Sequence, residues 1–410
     1  MKIAIVTQYY SPEAIRIPDT LARRLVSSGH QVRVITGYPN YPDGQLFSGY
    51  RQRLNHVEMI EGVQVRRVPL FISHSYNPIA RFLNYLTYAW STVFAHSWVR
   101  SADIVYVYAT QMTPAIGPSL WRAFFRLPYV LHVQDLWPES VTGSSMVGGG
   151  VAKKVIAGIL NPWLRFLYRT ASATIAIAPS MARMLVERGV PEERIRTVFN
   201  WSGVEPSSRE MPADKHSETV SIVYAGNFGD HQSLDNVIHA ANAVRDIEKL
   251  HITLVGSGVA DRRLRELAAS LDVPNVTFAG RVPPEAMGRI HSGSDFQIVS
   301  LSNLDIFEGT IPSKLQASIS HGIPVITAVR GDVKRLVQEN GIGFACDPDD
   351  PNQLAEAFRK AAALSPAARA SMAKAARLFY GTSMSLDSGV SQIEAILYSA
   401  SRQARSKDNW

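Results

Sequence analysis

Short β-branched runs alternate with helical stretches along this chain, and the whole alternation occurs twice. The first series reads KIAIVTQYY, QVRVITGYP, VQVRRVPLF, DIVYVYAT, YVLHVQDLWP and ATIAIAPS, most of them closed by Gly, Pro, Asp or Ser. After the first run, Leu21 and Leu25 mark the inner face of a helix, Arg23 and Arg24 its outer face, and Gly29 its end. Near residue 200 the pattern restarts with SIVYAGNF, LHITLVGSG, VTFAGRV, DFQIVSL and IPVITAV. Buried strands joined by helical crossovers make parallel sheets covered on both faces. The expected fold is therefore α/β, with two Rossmann-like domains facing across a cleft. The expected boundaries are 1–200, 201–380 and a C-terminal helix over 381–410 that packs back toward the first domain. The polar stretch 203–216, with two prolines, reads as the linker.

A single cysteine, Cys346, excludes a disulfide framework and a cysteine zinc site, which suits a reducing cytoplasm. The N-terminus runs straight into a strand and lacks the pattern of a signal peptide. The net charge of +7 is unevenly placed: residues 1–200 hold 21 Lys and Arg against 11 Asp and Glu, and the remainder 21 against 24. A basic first half suits an anionic partner, either nucleic acid or anionic lipid. No nucleic-acid-binding motif is visible, so no nucleic-acid partner is expected.

In doubly wound sheets, ligands gather at the carboxyl ends of strands. The turn Gly226-Asn227-Phe228-Gly229 ends one such strand and leads toward a helix from Ser233. It reads either as a phosphate seat at a helix start or as glycine used for backbone freedom. The turn from Gly256 to Gly258 carries the same two readings. Neither is GxGxxG and no GxxxxGK[ST] is present, so a dinucleotide dehydrogenase or P-loop ATPase is not supported. The sharpest stretch is Phe307-Glu308-Gly309-Thr310-Ile311-Pro312-Ser313-Lys314-Leu315-Gln316, which opens a helix reaching His321-Gly322. There Glu308 either accepts hydrogen bonds from a sugar or caps the helix. The helix start and Lys314 can neutralise a diphosphate. In the first half, His132 and Asp135 end the strand YVLHV and can hold sugar hydroxyls or a leaving phosphate. Glu13 and Arg16, after the first strand, are candidates for the acceptor or phosphate side.

These pieces, in this order, resemble the retaining glycosyltransferases of family 4, especially bacterial surface-polysaccharide enzymes of the fucosamine-transferase and colanic-acid type. The resemblance runs through QYYSPE, GHQVRVITGYPNYPDG, HVQDLWPES, GVPEERIRTVFN, YAGNFG, LVGSG, VTFAGRV and GTIPSKLQASISHGIPVI, from residue 8 to about 327. It implies the GT-B fold, a UDP-sugar held mainly by the second domain, no DxD metal motif and retention at the anomeric carbon. It places the nucleotide base near Arg281 and Val282 and the donor near Gly226, Asn227, Gly256, Gly309, Thr310, Ser313, Lys314 and Gln316. It also implies a saccharide acceptor on a polyprenyl diphosphate. Two departures stand out. Where many members have Glu-x7-Glu, Glu308 is followed by Gln316; with the helix registered on Gly322 instead, the second glutamate falls on Ala317. In either register that carboxylate is missing, and Gln316 or Ser318 can offer neutral hydrogen bonds. The Arg and Lys that relatives carry after the first strand of this domain are replaced by Asn227 and Gln232, which leaves Lys314 as the cation for the diphosphate.

The chemistry expected is front-side attack, with the donor's phosphate taking the acceptor proton and no metal or cofactor. Glu308 serves the donor hydroxyls, and His132 the sugar or the β-phosphate. Asp135 either orients His132 or meets the acceptor. Residues 82–99 lack Asp, Glu, Lys and Arg and read as a helix of the first domain with one face in the lipid interface. Trp121-Arg122 with Phe124, Phe125 and Arg126, and Lys153-Lys154 with Trp163, Arg165, Phe166, Tyr168 and Arg169, are basic-aromatic stretches that suit an anionic membrane. The expected location is cytoplasmic, peripheral on the inner membrane. The competing functions are a sugar-nucleotide epimerase or phosphorylase on the same scaffold and a non-catalytic binding protein.

Overall fold

The computed structural model describes residues 1–73, 77–138, 150–203, 219–283 and 287–407. Of the expected linker, 203–216, all but Gly203 lies outside them, as do Glu139 and the Lys153 side chain. The chain divides into two units, Met1–Phe199 with Leu386–Trp410, and Asn200–Ser385.

The first unit is built on β1 (Lys2–Thr7), β2 (Gln31–Gly37), β3 (His56–Ile60), β4 (Val63–Val68), β5 (Ile104–Ala109), β6 (Tyr129–Val133), β7 (Ala173–Ala176) and β8 (Ile195–Thr197). Their order is β3-β4-β2-β1-β5-β6-β7-β8, parallel except for β3 against β4. Every residue of β5, β6 and β7 is buried, as strands covered on both faces require. The sequence reading leaves out β3 and β8. In β3 the side chains alternate between partly buried and exposed, and β8 is three residues long, so neither gives a buried apolar run. The β3–β4 turn is Glu61-Gly62, both with positive φ, a two-residue hairpin geometry.

The covering helices are α1 (Ile17–Ser27), α2 (Pro78–Val93), α3 (His96–Val99), α4 (Ile116–Phe125), α5 (Gly150–Thr170) and α6 (Pro179–Glu187). The C-terminal helix Leu386–Lys407 packs on α1, β5 and β6; Arg24 pairs with Asp387, and His30 Nε2 lies 2.8 Å from Glu394 Oε1. Residues 82–99 are not one helix: α2 stops at Val93 and α3 begins at His96. At 16 residues, α2 is about 24 Å long against a hydrocarbon core of ~30 Å. Among the described residues no helix is long and apolar enough to cross a membrane.

The second unit has β9 (Val220–Ala225), β10 (Leu250–Val255), β11 (Val276–Gly280), β12 (Phe296–Ser300), β13 (Val325–Ala328) and β14 (Gly343–Ala345), all parallel, in the order β11-β10-β9-β12-β13-β14. This is the doubly wound order, whose direction reverses between β9 and β12 and opens a crevice there. Its helices are α7 (Leu234–Asn242), α8 (Asp261–Ser270), α9 (Met287–Gly293), α10 (Ser313–Ser320), α11 (Asp332–Glu339), α12 (Pro351–Ala363) and α13 (Pro366–Phe379). Val220 and Ile222 of β9, Leu250, Ile252 and Leu254 of β10, and Phe296 and Ile298 of β12 build the sheet side of a core. Leu234, Leu264, Leu354 and Phe358 close it from the helices.

Candidate functional site

In the second unit the reversal point is flanked by the turn after β9 and the loop after β12. The first of these is held by its own backbone. Gly226 N donates to Val255 O (2.9 Å), Phe228 N to Ser257 O (2.9 Å) and Gly229 N to Gln232 Oε1 (3.0 Å). The helix that follows starts only at Leu234, after a short 3-10 turn. Of the turn's two readings, glycine used for the backbone fits these bonds, since the N–H groups of Gly226, Phe228 and Gly229 are already bonded within the protein.

The glycines serve close packing. A methyl group on Gly256 would lie 1.8 Å from Gly226 O, and one on Gly258 2.3 Å from Phe228 O. One on Gly226 would lie 2.3 Å from Lys314 Cε. Lys314 thus reaches from the first turn of α10 to the end of β9, with Nζ 5.1 Å from the centre of the Tyr224 ring. Loss of solvation pushes its pKa below the usual lysine value. No carboxylate pairs with it among the described residues.

Glu308 lies at the end of a 3-10 turn, Asp305–Phe307, and does not cap α10, whose N-cap is Pro312. Its backbone oxygen accepts from Asp332 N (3.1 Å), and its carboxylate is 4.0 Å from Arg330. Arg330 in turn donates to Asp305 Oδ1 (2.9 Å) and Asn303 Oδ1 (3.2 Å). The sequence reading missed Arg330, which follows β13 and has no motif around it. Gly309 is buried, Thr310 Oγ1 donates to Ile306 O, and Ser313 is exposed. Gln316, on the inner face of α10, is 4% exposed. Ser318 is committed to its own helix, donating to Lys314 O at 2.6 Å. Beside β9 and β10, Val282 packs with Met287 and Ile290 against Val223, Ala225 and Val255, an apolar ledge next to exposed Arg281. Asn227 is exposed at the rim.

The first unit departs further from expectation. His132 is fully buried inside β6, opposite Tyr108 of β5 and Ile175 of β7. Its Nδ1 is 2.5 Å from the Tyr106 hydroxyl, while Nε2 has no partner among the described residues. Burial lowers its pKa to about 3, so it is neutral. The His132 side chain, expected at the open end of the strand, is thus corrected to an interior group of the sheet. Asp135 stands two residues past the strand and is exposed, yet the loss of solvation around it raises its carboxyl to about 6. Glu13 is corrected as well. It is 1% exposed; Oε1 accepts from Asn40 N (2.8 Å) and Tyr41 N (2.9 Å), and Oε2 from Tyr10 N (3.0 Å). It ties the loop after β1 to the loop after β2. Buried Arg67 fixes the same region, donating to Gly37 O, Ser11 O and Glu58. Arg16 is exposed at the start of α1, and its guanidinium makes no hydrogen bond among the described residues.

The loops after β1, β2 and β6 carry Tyr9, Tyr41 and Trp137, and α2 carries Tyr85, rings that the sequence reading did not single out. Tyr9 and Tyr41 have ring centres 5.4 Å apart, and Tyr85 and Trp137 6.4 Å apart. Such rings suit the apolar faces of a saccharide.

The glycosyl transferase 4-like domain family matches residues 17–201, and the group 1 glycosyl transferase family matches residues 209–379. The chain is 28% identical over 382 residues to a putative colanic acid biosynthesis glycosyl transferase, WcaI, of Escherichia coli, covering 88% of this chain and 92% of that one. It is 25% identical over 249 residues to a probable glycosyltransferase, WbjE, of Pseudomonas aeruginosa, covering 58% of this chain and 60% of that one. Among solved structures, Anabaena HepE in complex with UDP aligns with a TM-score of 0.69 at 14% identity, covering 97% of this chain and all of that one. WaaG, a glycosyltransferase involved in lipopolysaccharide biosynthesis, aligns with a TM-score of 0.61 at 16% identity, over 96% and 99%. This chain belongs to the family 4 glycosyltransferases of the GT-B fold.

Proposed function

We propose that this enzyme transfers a sugar, an N-acetylamino or deoxy sugar, from a UDP-sugar to a saccharide carried on a polyprenyl diphosphate, in the building of a bacterial surface polysaccharide. The observation that carries the reading is Lys314 at the end of β9, without a carboxylate partner among the described residues. It stands beside the crevice whose other wall holds the partly exposed carboxylate of Glu308. A cation without a carboxylate partner suits a diphosphate, and a carboxylate on the same sheet edge suits sugar hydroxyls. The ledge at Val282 suits a uracil ring, and the amide of Gln316 suits a ribose hydroxyl. Relatives support the setting: their names concern colanic acid and lipopolysaccharide, and HepE was solved with UDP.

The reaction is read as retaining and metal-free. Lys314 stabilises the charge that grows on the departing UDP, Glu308 holds the donor sugar, and the donor's β-phosphate oxygen takes the acceptor proton during front-side attack. Asp135 meets the acceptor among the rings of Tyr9, Tyr41, Tyr85 and Trp137. The protein works at the cytoplasmic face of the inner membrane, where such acceptors lie. The test is UDP release from a panel of UDP-sugars with and without a polyprenyl-diphosphate saccharide, with the product anomer read by NMR. Acceptor-dependent release and an unchanged anomeric configuration are expected. No release from any UDP-sugar, or an inverted product, overturns the reading.

A further inference from the structure

Helix α2 is amphipathic the wrong way round for a helix on a water-facing surface. Its inner face carries Asn84, Tyr88 and Thr92, four residues apart and buried. Asn84 accepts from Gln8 Nε2 and donates to Phe71 O, both at 2.6 Å, and the Tyr88 hydroxyl donates to Ile35 O at 3.4 Å. These bonds fix the helix rotation. Its outer face therefore presents Ile79 (69% exposed), Phe82, Leu86, Trp90 (63%) and Phe94 (67%). Large apolar patches of this kind mark a binding surface.

The face continues onto α4. Gly117 of α4 lies so close to α2 that a methyl there would be 3.0 Å from Thr92 Cγ2, and Trp121 Nε1 donates to Val93 O at 3.1 Å. His96 then stacks on Phe125 with ring centres 3.7 Å apart, beside Phe124, which is 75% exposed. Trp121 itself is buried, so the exposed rings of this stretch are the two phenylalanines. A groove of about 340 Å³ runs next to the stack, lined by His96, Arg100, Asp103, Phe125 and Arg126. Asp103 accepts from Lys2 N at 2.7 Å. Arg81 and Arg122 lie on the same two helices. Between Glu61 and Glu187 the only acids in the sequence are Asp103, Asp135 and Glu139.

We infer that the α2–α4 face docks on an anionic phospholipid bilayer, with Phe82, Leu86, Trp90, Phe94 and Phe124 in the interface and lipid phosphates in the Arg100–Arg126 groove. This rests on the reading that the acceptor is lipid-borne. Apolar bulk ringed by arginine matches both parts of a phospholipid, its chains and its charged head. A second copy of the chain fits less well, because a two-fold contact through this face would set arginines against arginines.

The test uses the full-length protein and flotation with phosphatidylcholine vesicles, with and without phosphatidylglycerol, and needs no sugar donor. Binding is expected only with phosphatidylglycerol and is expected to weaken as salt rises. Trp90→Gln with Phe94→Gln, and separately Arg100→Glu with Arg126→Glu, should each lower vesicle affinity by about tenfold. Leu54→Gln, on an exposed leucine elsewhere, should leave it unchanged, and melting curves should show each variant folded. Equal binding to neutral vesicles, no response to either pair of changes, or a dimer that Trp90→Gln with Phe94→Gln dissociates would each overturn the inference. Vesicle binding without sugar transfer would sink only the enzymatic reading; transfer to a soluble acceptor without vesicle binding would sink only this one.

Discussion

Lys314 occupies the space where the side chain of residue 226 would be: Gly226 leaves open the volume into which the lysine's Cε fits. The glycine and the lysine are one device, since the first allows the second to reach the end of β9.

Gly226→Ala should therefore act like a lysine mutation. Both Gly226→Ala and Lys314→Ala are expected to weaken UDP binding about tenfold or more, the scale of a hydrogen bond to a charged group. Calorimetry with UDP checks this. Wild-type affinity in both variants would remove Lys314 from the diphosphate site.

Glu308→Gln keeps the shape of the side chain and removes its charge. Turnover is expected to fall on the order of a hundredfold while UDP affinity changes little, because the lost contact is to the sugar and strengthens in the transition state. Steady-state kinetics beside UDP calorimetry separate the two effects. An equal loss in both would place Glu308 on the nucleotide.

Asp135 titrates near 6 in the folded protein, above the ordinary carboxylate value of 3.8. An acid whose pKa is raised by folding holds its proton more tightly in the native state. Its contribution to stability is full at low pH and is lost as pH rises through about 6. Asp135→Asn should match the wild type in melting temperature near pH 4 and exceed it at pH 7 to 8, by a small amount because the side chain is exposed. If Asp135 meets the acceptor, the same variant should lose turnover. A melting difference independent of pH would contradict the raised titration.

His132→Ala should damage the fold before the chemistry. Removing a buried ring and its bond to Tyr106 leaves a cavity and an unpaired hydroxyl, about 2–4 kcal/mol in cores of this kind. Unfolding and activity measured on the same sample should show rate loss tracking the folded fraction. A well-folded variant with a hundredfold lower rate would return His132 to the reacting groups.

Turnover should persist in EDTA, with the diphosphate charge met by Lys314 and the start of α10. Loss of activity that magnesium or manganese restores would defeat the metal-free reading.

The architecture was legible because buried parallel strands need long apolar runs, and those runs survive in any single sequence. β3, β8 and β14 were not, since the first is half-exposed and the other two are three residues long. The site was legible in part. Lys314 in the first turn of α10 and Glu308 before it were legible as positions, since both stand in a continuous stretch that opens a helix. His132 was misplaced because a histidine within an apolar strand looks the same whether it ends the strand or sits one layer inside. Glu13 looked available because its three amide partners come from two loops, and one of those loops lies 27 residues away. Arg330 in the second unit, and the rings of Tyr41 and Tyr85 in the first, each reach their own neighbours only through tertiary folding.

The first unit is discontinuous, closed by a helix from the far end of the chain, whereas the second is one uninterrupted segment. In engineering terms the second unit is a cassette. An exchange of this unit between relatives needs two junctions, at 199/200 and 385/386, and a graft made at the first alone would strip α1, β5 and β6 of the helix that covers them. The second unit can then be exchanged without touching the sheet of the first.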